Sequence, residues 1–413
     1  MKRNIYLMVS SYFPTLEEPW RYSFSYDQIR AIQRVAPSYN VVVLKPNSKE
    51  SYEFRGIRVV GFMAHTAGCW INPWLLNKLN VCKMWQALKQ EGIYADNIAV
   101  AHGHLVAMGT YLRAIKLKNG QVKTILQFHD ADPYGMLFGR GCLEDVKKRL
   151  YFLYYRSLVE KMDQLVGISR NVSRVVLEAP HQTVYNDYGP MRQAMHILRH
   201  FRSANVKPAY TLHNGVDHEI FKPGQRMTRP DQFKIGCVAV FRDLKDQLSL
   251  VRAIKMLQGK IPGLCCTLVG VHHSGTMLAD CRRLIAEDTL PVTIIPSLGH
   301  SELAVFYRSI DLFVLPSYFE GFGCVFTESW RCGTPFITCA GQGMDDLIYP
   351  EDRYKWLCRP RDPEDLARKI LRYHQCRDEQ RLMGTVDIQV LVARFLKDCG
   401  IIEDEEHTLR KDG

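Results

Sequence analysis

The sequence predicts an α/β protein built from two doubly wound, Rossmann-like domains. Three observations predict it: 413 residues are enough for two cores, strand-like runs alternate with amphipathic stretches in both halves, and proline and glycine punctuate the stretch between the halves. We place an N-terminal domain at residues 1–208 and a C-terminal domain at residues 209–385. Residues 386–413 are expected to form a final helix and a frayed acidic tail.

The individual elements follow from the spacing of apolar residues. Short apolar runs predict strands, and apolar residues three or four positions apart predict helices. The predicted strands are 5–11, 40–44, 98–101, 124–128 and 164–168 in the first half, and 234–240, 264–269, 292–295, 311–315 and 336–339 in the second. The predicted helices include 25–35, 105–117, 364–373 and 386–399.

The composition is that of an ordinary soluble protein, with 46% hydrophobic and 23% charged residues. No apolar stretch reaches the ~18 residues that a membrane span needs, and no signal peptide precedes the first strand, so we expect a cytoplasmic protein. The sequence has 13 cysteines, an odd number, and no two of them form a Cys-x-x-Cys motif. Because several of them fall inside apolar runs, we interpret them as reduced core residues.

Positive charge is concentrated in the first half of the chain. Residues 1–208 carry a net charge of +13 and residues 209–413 a net charge of −2, which together give +11. No nucleic-acid-binding motif accompanies this charge, so we expect no nucleic-acid partner. Aromatic and basic residues mix in segments 61–85 and 147–156, which fits either an anionic membrane surface or sheet-covering helices with one basic face.

The most informative stretch lies between residues 311 and 339. It reads as a strand, a glycine loop, a short helix and a second strand, and the loop carries Gly321 and Gly323. A helix N-terminus after such a loop suits a phosphate. Glu320 precedes the helix and Glu328 lies about one turn inside it; carboxylates there would repel a diphosphate but accept hydrogen bonds from sugar hydroxyls. The stretch therefore indicates a nucleotide sugar, the alternative being a surface loop and helix with solvated glutamates.

Other polar residues follow predicted strands. Arg242 and Lys245 come just after one strand, where two cations can neutralise a diphosphate, although such pairs are also common on solvated surfaces. His129 ends another strand, where a neutral imidazole can bond a sugar hydroxyl or serve structure alone. His102 and His104 form a His-x-His pair, which we interpret as structural because no third metal ligand is placed by spacing. We therefore expect no metal site and no cofactor besides the co-substrate.

These pieces together resemble the retaining glycosyltransferases of family 4, often described as glycosyl transferases group 1. The resemblance covers nearly the whole chain in order and is more specific in the second half. The matching pieces are Phe13 and Pro14, His129 and Asp130, Asn214 to Asp217, Arg242 with Lys245, Leu315 to Ser317, the Glu320 loop with Glu328, Cys332 to Pro335, and Gly343 with Asp346. It implies the GT-B fold, in which two Rossmann-like domains face a cleft and a C-terminal helix crosses back to the first domain.

The resemblance also implies the site residues. The catalytic residues would be His129, Arg242, Lys245 and Glu320. The donor-binding residues would be Asn214, Leu298, Gly321, Phe322, Gly323, Cys324, Val325 and Glu328. Arg242 and Lys245 would bind the donor diphosphate together with the first amides of the helix, and Glu328 would bind the ribose. Glu320 and His129 would contact the transferred sugar, and the loop with Leu298 would hold the base.

The implied reaction is a metal-independent, same-face displacement in which the leaving phosphate oxygen helps to remove the acceptor proton. The donor would be a nucleoside diphosphate sugar, with UDP as the expected nucleotide. The acceptor would be a glycan or a lipid-linked glycan of surface polysaccharide assembly, with the protein peripheral at the inner face of the membrane. Three departures affect this reading. Bulky residues from Trp20 to Tyr22 replace the usual small glycines, Gln342 occupies one position of a glycine pair, and Asp346 replaces the usual glutamate.

Two alternatives remain open from the sequence. A nucleotide-sugar epimerase or hydrolase would use a related two-domain fold and would release its product without an acceptor. A non-catalytic partner of a glycosyltransferase complex would bind the nucleotide sugar without turning it over.

Overall fold

The computed structural model describes residues 3–19, 22–65, 73–129, 153–155, 157–173 and 209–403. By their internal contacts the residues divide into two compact units. Unit 1 comprises Met1–Asn214 together with Ile388–Gly413, and unit 2 comprises Gly215–Asp387. The chain therefore returns to unit 1 after unit 2 is complete.

Unit 1 contains an eight-stranded sheet in the order β3-β4-β2-β1-β5-β6-β7-β8. Neighbouring strands are parallel except β3 and β4, which form an antiparallel pair. The strands are β1 (Ile5–Val9), β2 (Asn40–Pro46), β3 (Tyr52–Phe54), β4 (Ile57–Phe62), β5 (Ile98–His104), β6 (Lys123–Phe128), β7 (Gln164–Gly167) and β8 (Tyr210–Thr211). The described helices of this unit are α1 (Ser23–Val35), α2 (Pro73–Gln90), α3 (Gly109–Lys118), α4 (Arg170–Ser173) and, after unit 2, α11 (Ile388–Asp398).

The last helix is part of the core of unit 1. Helix α11 packs against α1, and its Val392 and Phe395 share a buried cluster with Ile29 and Ile32 of α1. All four side chains are fully buried. Burial of an apolar side chain contributes about 1.5–3 kcal/mol, so this contact fixes α11 on unit 1, as the resemblance implied.

Unit 2 contains a six-stranded, all-parallel sheet in the order β11-β10-β9-β12-β13-β14. Its strands are β9 (Phe233–Val238), β10 (Leu264–Val269), β11 (Val292–Ile295), β12 (Leu312–Leu315), β13 (Phe336–Cys339) and β14 (Leu357–Cys358). Its helices are α5 (Gln247–Leu257), α6 (Met277–Glu287), α7 (His300–Arg308), α8 (Cys324–Arg331), α9 (Arg353–Trp356) and α10 (Pro363–Cys376). Every residue of β12 and β13 is buried, as expected of central strands covered on both faces.

All ten predicted strands are present, but some predicted bounds are wrong. The strand predicted at 5–11 ends at Val9, because the Ser10 hydroxyl bonds both backbone groups of Tyr12 and turns the chain. The strand predicted at 234–240 ends at Val238, and the carbonyl of Val240 accepts from the Gln247 side chain instead of from a neighbouring strand. The helix predicted at 105–117 is divided into a 3₁₀ turn at Val106–Met108 and α3.

Four short strands were not predicted. Strands β3 and β4 pair with each other as a local hairpin. The two-residue strands β8 and β14 pair with distant segments, which local periodicity does not report. Several residues named in the sequence analysis lie outside the described residues, namely Trp20, Arg21, residues 66–72 of segment 61–85, Asp130, most of segment 147–156 and the tail from residue 404.

The described cysteines are free, and most of them are buried. Cys82 and Cys376 are exposed, so the expectation of core cysteines is wrong for these two. None of the helices in the described ranges is both long and apolar enough to cross a membrane.

Candidate functional site

The candidate site of unit 2 lies at the carboxyl edge of its sheet. Strands β9, β12 and β13 are neighbours and run parallel, so the loops that follow them leave the sheet at the same edge. The loop after β9 carries Arg242 and Lys245, and the loop after β12 carries Glu320. Parallel sheets bind ligands at this edge, beyond the carboxyl ends of the strands.

Lys245 and Glu320 form an ion pair although 75 positions separate them in the chain. The distance from Lys245 Nζ to Glu320 Oε2 is 2.5 Å, and the two side chains are only 19% and 14% exposed. Little solvent screens the pair, so its charges interact more strongly than those of a surface salt bridge. The structure thus joins a residue predicted to bind phosphate to one predicted to bind the sugar.

The loop after β9 is bound to the loop after β12 at further points. The Tyr318 amide donates to the carbonyl of Leu244 at 3.2 Å, and the Tyr318 hydroxyl donates to Asp243 Oδ2. The Arg361 guanidinium lies 4.0 Å from the centroid of the Tyr318 ring. These contacts hold the Lys245 turn beside the Glu320 loop before any ligand binds.

The glycine loop leads directly into α8. Gly323 is the residue before the first helical position and has a φ of 82°, a left-handed conformation that favours glycine. A Cβ at this position would also lie 2.7 Å from the Phe326 ring. Gly323 has no side chain with which to cap the helix, and the first amides of α8 carry the positive end of the helix dipole. Phe322 is 1% exposed, so it offers almost no surface to a ligand.

Glu328 lies on α8, one turn after Cys324. It is buried, and its Oε2 accepts a hydrogen bond of 2.9 Å from the hydroxyl of Tyr307 on α7. Burial raises the pKa of Glu328 to about 7, and the Tyr307 hydrogen bond partly opposes this shift. The carboxyl group can therefore gain or lose a proton near neutral pH at little cost. Sequence reasoning missed Tyr307, because its contact with Glu328 depends on the packing of two helices.

The remaining predicted donor-site residues differ in their exposure and in the unit to which they belong. Arg242 is exposed, and its side chain makes no ion pair with any residue in the described ranges. Leu298 is half-buried in the loop between β11 and α7. Cys324 and Val325 are the half-buried first residues of α8. Asn214 is buried and belongs to unit 1, at its boundary with unit 2.

His129 follows β6 in unit 1, within a row of aromatic rings. Its ring centroid lies 5.0 Å from that of Phe24 and 4.6 Å from that of His104. Both ring nitrogens are buried, without a hydrogen-bond partner among the residues that the structure describes. Burial, with a smaller contribution from His102, lowers the pKa of His129 to about 3, so the ring is neutral at physiological pH.

The His-x-His pair of β5 makes structural contacts. His102 Nδ1 lies 2.8 Å from the Tyr6 hydroxyl, and its Nε2 lies 2.9 Å from the side-chain oxygen of Gln127. Both ring nitrogens of His102 are thus engaged inside the core. Over the described residues, no group of three or more His, Cys, Asp or Glu side chains is arranged to hold a metal ion.

The loop after β1 carries stacked tyrosines where small glycines are usual in the family that the sequence resembles. Tyr22 has a φ of 60°, and its ring stacks on that of Tyr12 with centroids 4.7 Å apart. A left-handed conformation is costly for a bulky residue. The stacked tyrosines therefore occupy the space that small residues would leave open in this loop.

Comparisons with known proteins find a family-model match within unit 2 and a likeness of fold over the chain. Residues 220–385 match the family model described as Glycosyl transferases group 1. The D-inositol 3-phosphate glycosyltransferase of Mycobacterium marinum is 31% identical over 144 residues, which are 32% of this chain and 30% of that protein. The chain thus matches less than a third of that relative's length.

Two solved structures are similar over almost the whole chain. Sucrose-phosphate synthase from Thermosynechococcus elongatus has a TM-score of 0.63 at 19% identity, covering 96% of this chain and 94% of that one. The Anabaena protein HepE, solved in complex with UDP and glucose, has a TM-score of 0.64 at 14% identity, covering 97% and 100%. At such low identity the likeness concerns the fold, and it confirms the predicted GT-B class.

Proposed function

We propose, on the premise that residues 220–385 belong to the glycosyl transferases group 1 family, that this protein is a retaining glycosyltransferase. It would move a sugar from a nucleoside diphosphate sugar to a glycan or lipid-linked acceptor. UDP is the proposed nucleotide, because the similar structure of HepE contains UDP and glucose. The single observation that carries the proposal is the Lys245–Glu320 pair beside the N-terminus of α8.

The charges of this site suit a nucleotide sugar. Lys245 and the positive end of α8 attract a diphosphate, and Arg242 supplies a second, exposed cation. Glu320 accepts hydrogen bonds from the hydroxyls of the transferred sugar, while Glu328 accepts them from the ribose. Lys245 can serve phosphate and Glu320 at once, because an ammonium group has three donors.

The proposed reaction exchanges one bond at the anomeric carbon for another. The bond from that carbon to the diphosphate oxygen breaks, and the acceptor oxygen forms a bond on the same face of the sugar. The acceptor proton passes to the leaving phosphate oxygen, so no side chain is consumed. Lys245 and Arg242 stabilise the negative charge that grows on the diphosphate. Independence from metal ions is part of the proposal.

Thermal unfolding in the presence of nucleotides tests the proposal. We expect UDP and UDP-glucose at about 100 times their Kd to raise the Tm by a few degrees, since a ligand bound only by the folded state adds about 2.7 kcal/mol. The shift should persist in EDTA and disappear in E328A. GDP and ADP serve as controls for the base. Absence of a shift with every nucleotide and nucleotide sugar would contradict the proposal.

The basic first half leads us to propose an anionic membrane surface as a partner. Helix α2 presents Lys78 and Leu79 to solvent, and Leu79 is 48% exposed. We expect the protein to sediment with vesicles that contain phosphatidylglycerol at low salt and to be released at 0.5 M salt, where screening is strong. K78A/L79S should weaken the association and K260A, which changes an exposed lysine of unit 2, should not. Equal sedimentation with neutral vesicles would argue against it.

A further inference from the structure

Two residues that follow β13 hold the backbone of Glu320. The side-chain oxygen of Gln342 accepts a hydrogen bond of 2.8 Å from the Glu320 amide. The amide of Gly343 donates to the Glu320 carbonyl at 3.2 Å. Both backbone groups of Glu320 are therefore bound by this pair, which we call the 342–343 clamp.

The clamp also reaches the residue two positions before Glu320. The Gln342 side-chain amide donates to the carbonyl of Tyr318 at 3.1 Å, and Gln342 is 1% exposed. Tyr318 in turn bonds the backbone of Leu244, next to Lys245. One buried glutamine thus connects the loop after β13 to the loop after β12, which is itself bound to the loop after β9.

Close packing leaves no room for a side chain at the second residue of the clamp, Gly343. A Cβ at Gly343 would lie 1.9 Å from the carbonyl oxygen of Gly321, a distance that no side chain can occupy. The glycine loop and the clamp therefore approach each other at backbone distance. Glycine is required at residue 343 because of this contact.

We infer that Gln342 is a positioning residue that presents the Glu320 carboxylate to the transferred sugar. Glu320 is held at its amide, its carbonyl and its carboxylate, the last by Lys245. A group fixed at three points loses little conformational freedom when it binds a ligand, and a displacement of about 1 Å at such a site can cost about 100-fold in rate. The inference rests on the proposed function of Glu320 as the sugar contact.

Other side chains at residue 342 would fail for distinct reasons. Alanine would leave the buried Glu320 amide and Tyr318 carbonyl without partners. Glutamate could accept from the Glu320 amide, but it could not donate to Tyr318 and would bring a negative charge beside Glu320. Asparagine is one methylene too short to reach both groups from the same backbone.

Gln380 offers a matched control at the opposite end of β13. Its side chain donates to the Phe336 carbonyl at 2.9 Å and accepts from the Phe336 amide at 2.9 Å, and it is 6% exposed. Both glutamines are buried and hold one backbone segment by two hydrogen bonds. They differ in position. Gln380 holds Phe336 at the start of β13, whereas Gln342 lies after the end of β13 and holds Glu320.

The experiment compares Q342A with Q380A in the full-length chain, using calorimetric titration with UDP and with UDP-glucose. We expect Q342A to bind UDP within about threefold of the wild-type affinity and to lose tenfold or more in affinity for UDP-glucose. Q380A should lose stability to a similar extent but keep both affinities. An unchanged ratio of the two affinities in Q342A, or an equal change in Q380A, would overturn the inference.

Hydrogen exchange separates failure of this inference from failure of the proposed function. Without any ligand, the Glu320 amide should exchange about tenfold faster or more in Q342A than in the wild type, and at the wild-type rate in Q380A. Unchanged exchange in Q342A would show that no clamp exists. If exchange changes but the wild-type protein binds neither UDP nor UDP-glucose, the clamp stands as a positioning element and the proposed function fails.

Discussion

Replacing Lys245 by alanine is expected to lower the free energy of unfolding of unit 2 by about 3 kcal/mol and the affinity for UDP by about 10- to 100-fold. The stability loss arises because the Glu320 carboxylate, 14% exposed, would lose the cation beside it. The affinity loss follows from removing charge-assisted hydrogen bonds to phosphate. Urea unfolding and calorimetric titration with UDP measure the two effects on the same preparation.

The chain contains a suitable control for this prediction. Lys255 and Asp288 form an ion pair of 2.7 Å in the same unit, with side chains 52% and 28% exposed. Because solvent screens this pair, K255A should cost less than about 1 kcal/mol and leave UDP affinity unchanged. The double variant K245A/E320Q should regain part of the stability without regaining the affinity. Equal effects of K245A and K255A would contradict the prediction that the buried Lys245–Glu320 pair contributes more to stability and to UDP affinity than an exposed pair does.

Acid is expected to destabilise unit 1 by several kcal/mol. Burial lowers the pKa of both His102 and His129 to about 3, whereas an unfolded histidine titrates near 6.5. Between pH 6.5 and pH 3 the unfolded state therefore binds more protons than the folded state. The free energy of unfolding falls as the pH drops below about 6.5. At pH 5 each ring costs about 2 kcal/mol, so the two together cost about 4 kcal/mol. Burial also lowers the pKa of His104, whose ring lies next to those of His102 and His129.

Unit 2 should respond to acid in the opposite direction. Burial raises the pKa of Glu328 to about 7 and that of Asp246 to about 6, above the values near 4 of unfolded carboxyl groups. Stability from these groups is fully present below the unfolded pKa and is lost as the pH rises through the folded pKa. E328Q should consequently stabilise unit 2 at pH 8 and have little effect at pH 4.5.

Hydrogen exchange with peptide resolution, measured at pH 7.5 and pH 5.0 with correction for the intrinsic rate, distinguishes the two units. Peptides from β5 and β6 should lose protection at pH 5.0 while peptides from β12 and β13 keep it. H102Q should reduce the pH dependence of unit 1, and H272Q, which changes an exposed histidine of unit 2, should not. Equal stability of unit 1 at the two pH values would contradict the prediction.

The sequence by itself determined the features that depend on near neighbours. The runs of apolar residues in β12 and β13 are long enough to identify both strands, and the glycine loop with the following helix was recognised between them. The spacing of Glu320 and Glu328 around a helix start predicts a nucleotide sugar, and this stays a prediction. Each of these signals extends over fewer than ten residues, a range in which backbone geometry and side-chain periodicity are coupled directly.

Only the tertiary structure decided which of those residues act together. Lys245 meets Glu320 across 75 positions, Gln342 meets Glu320 across 22, and Tyr307 meets Glu328 across 21. The burial that makes His129 neutral and shifts the pKa of Glu328 also comes from distant segments. Parallel strands place the ends of remote segments at one edge of a sheet, and local propensity carries no information about which segments become neighbours there.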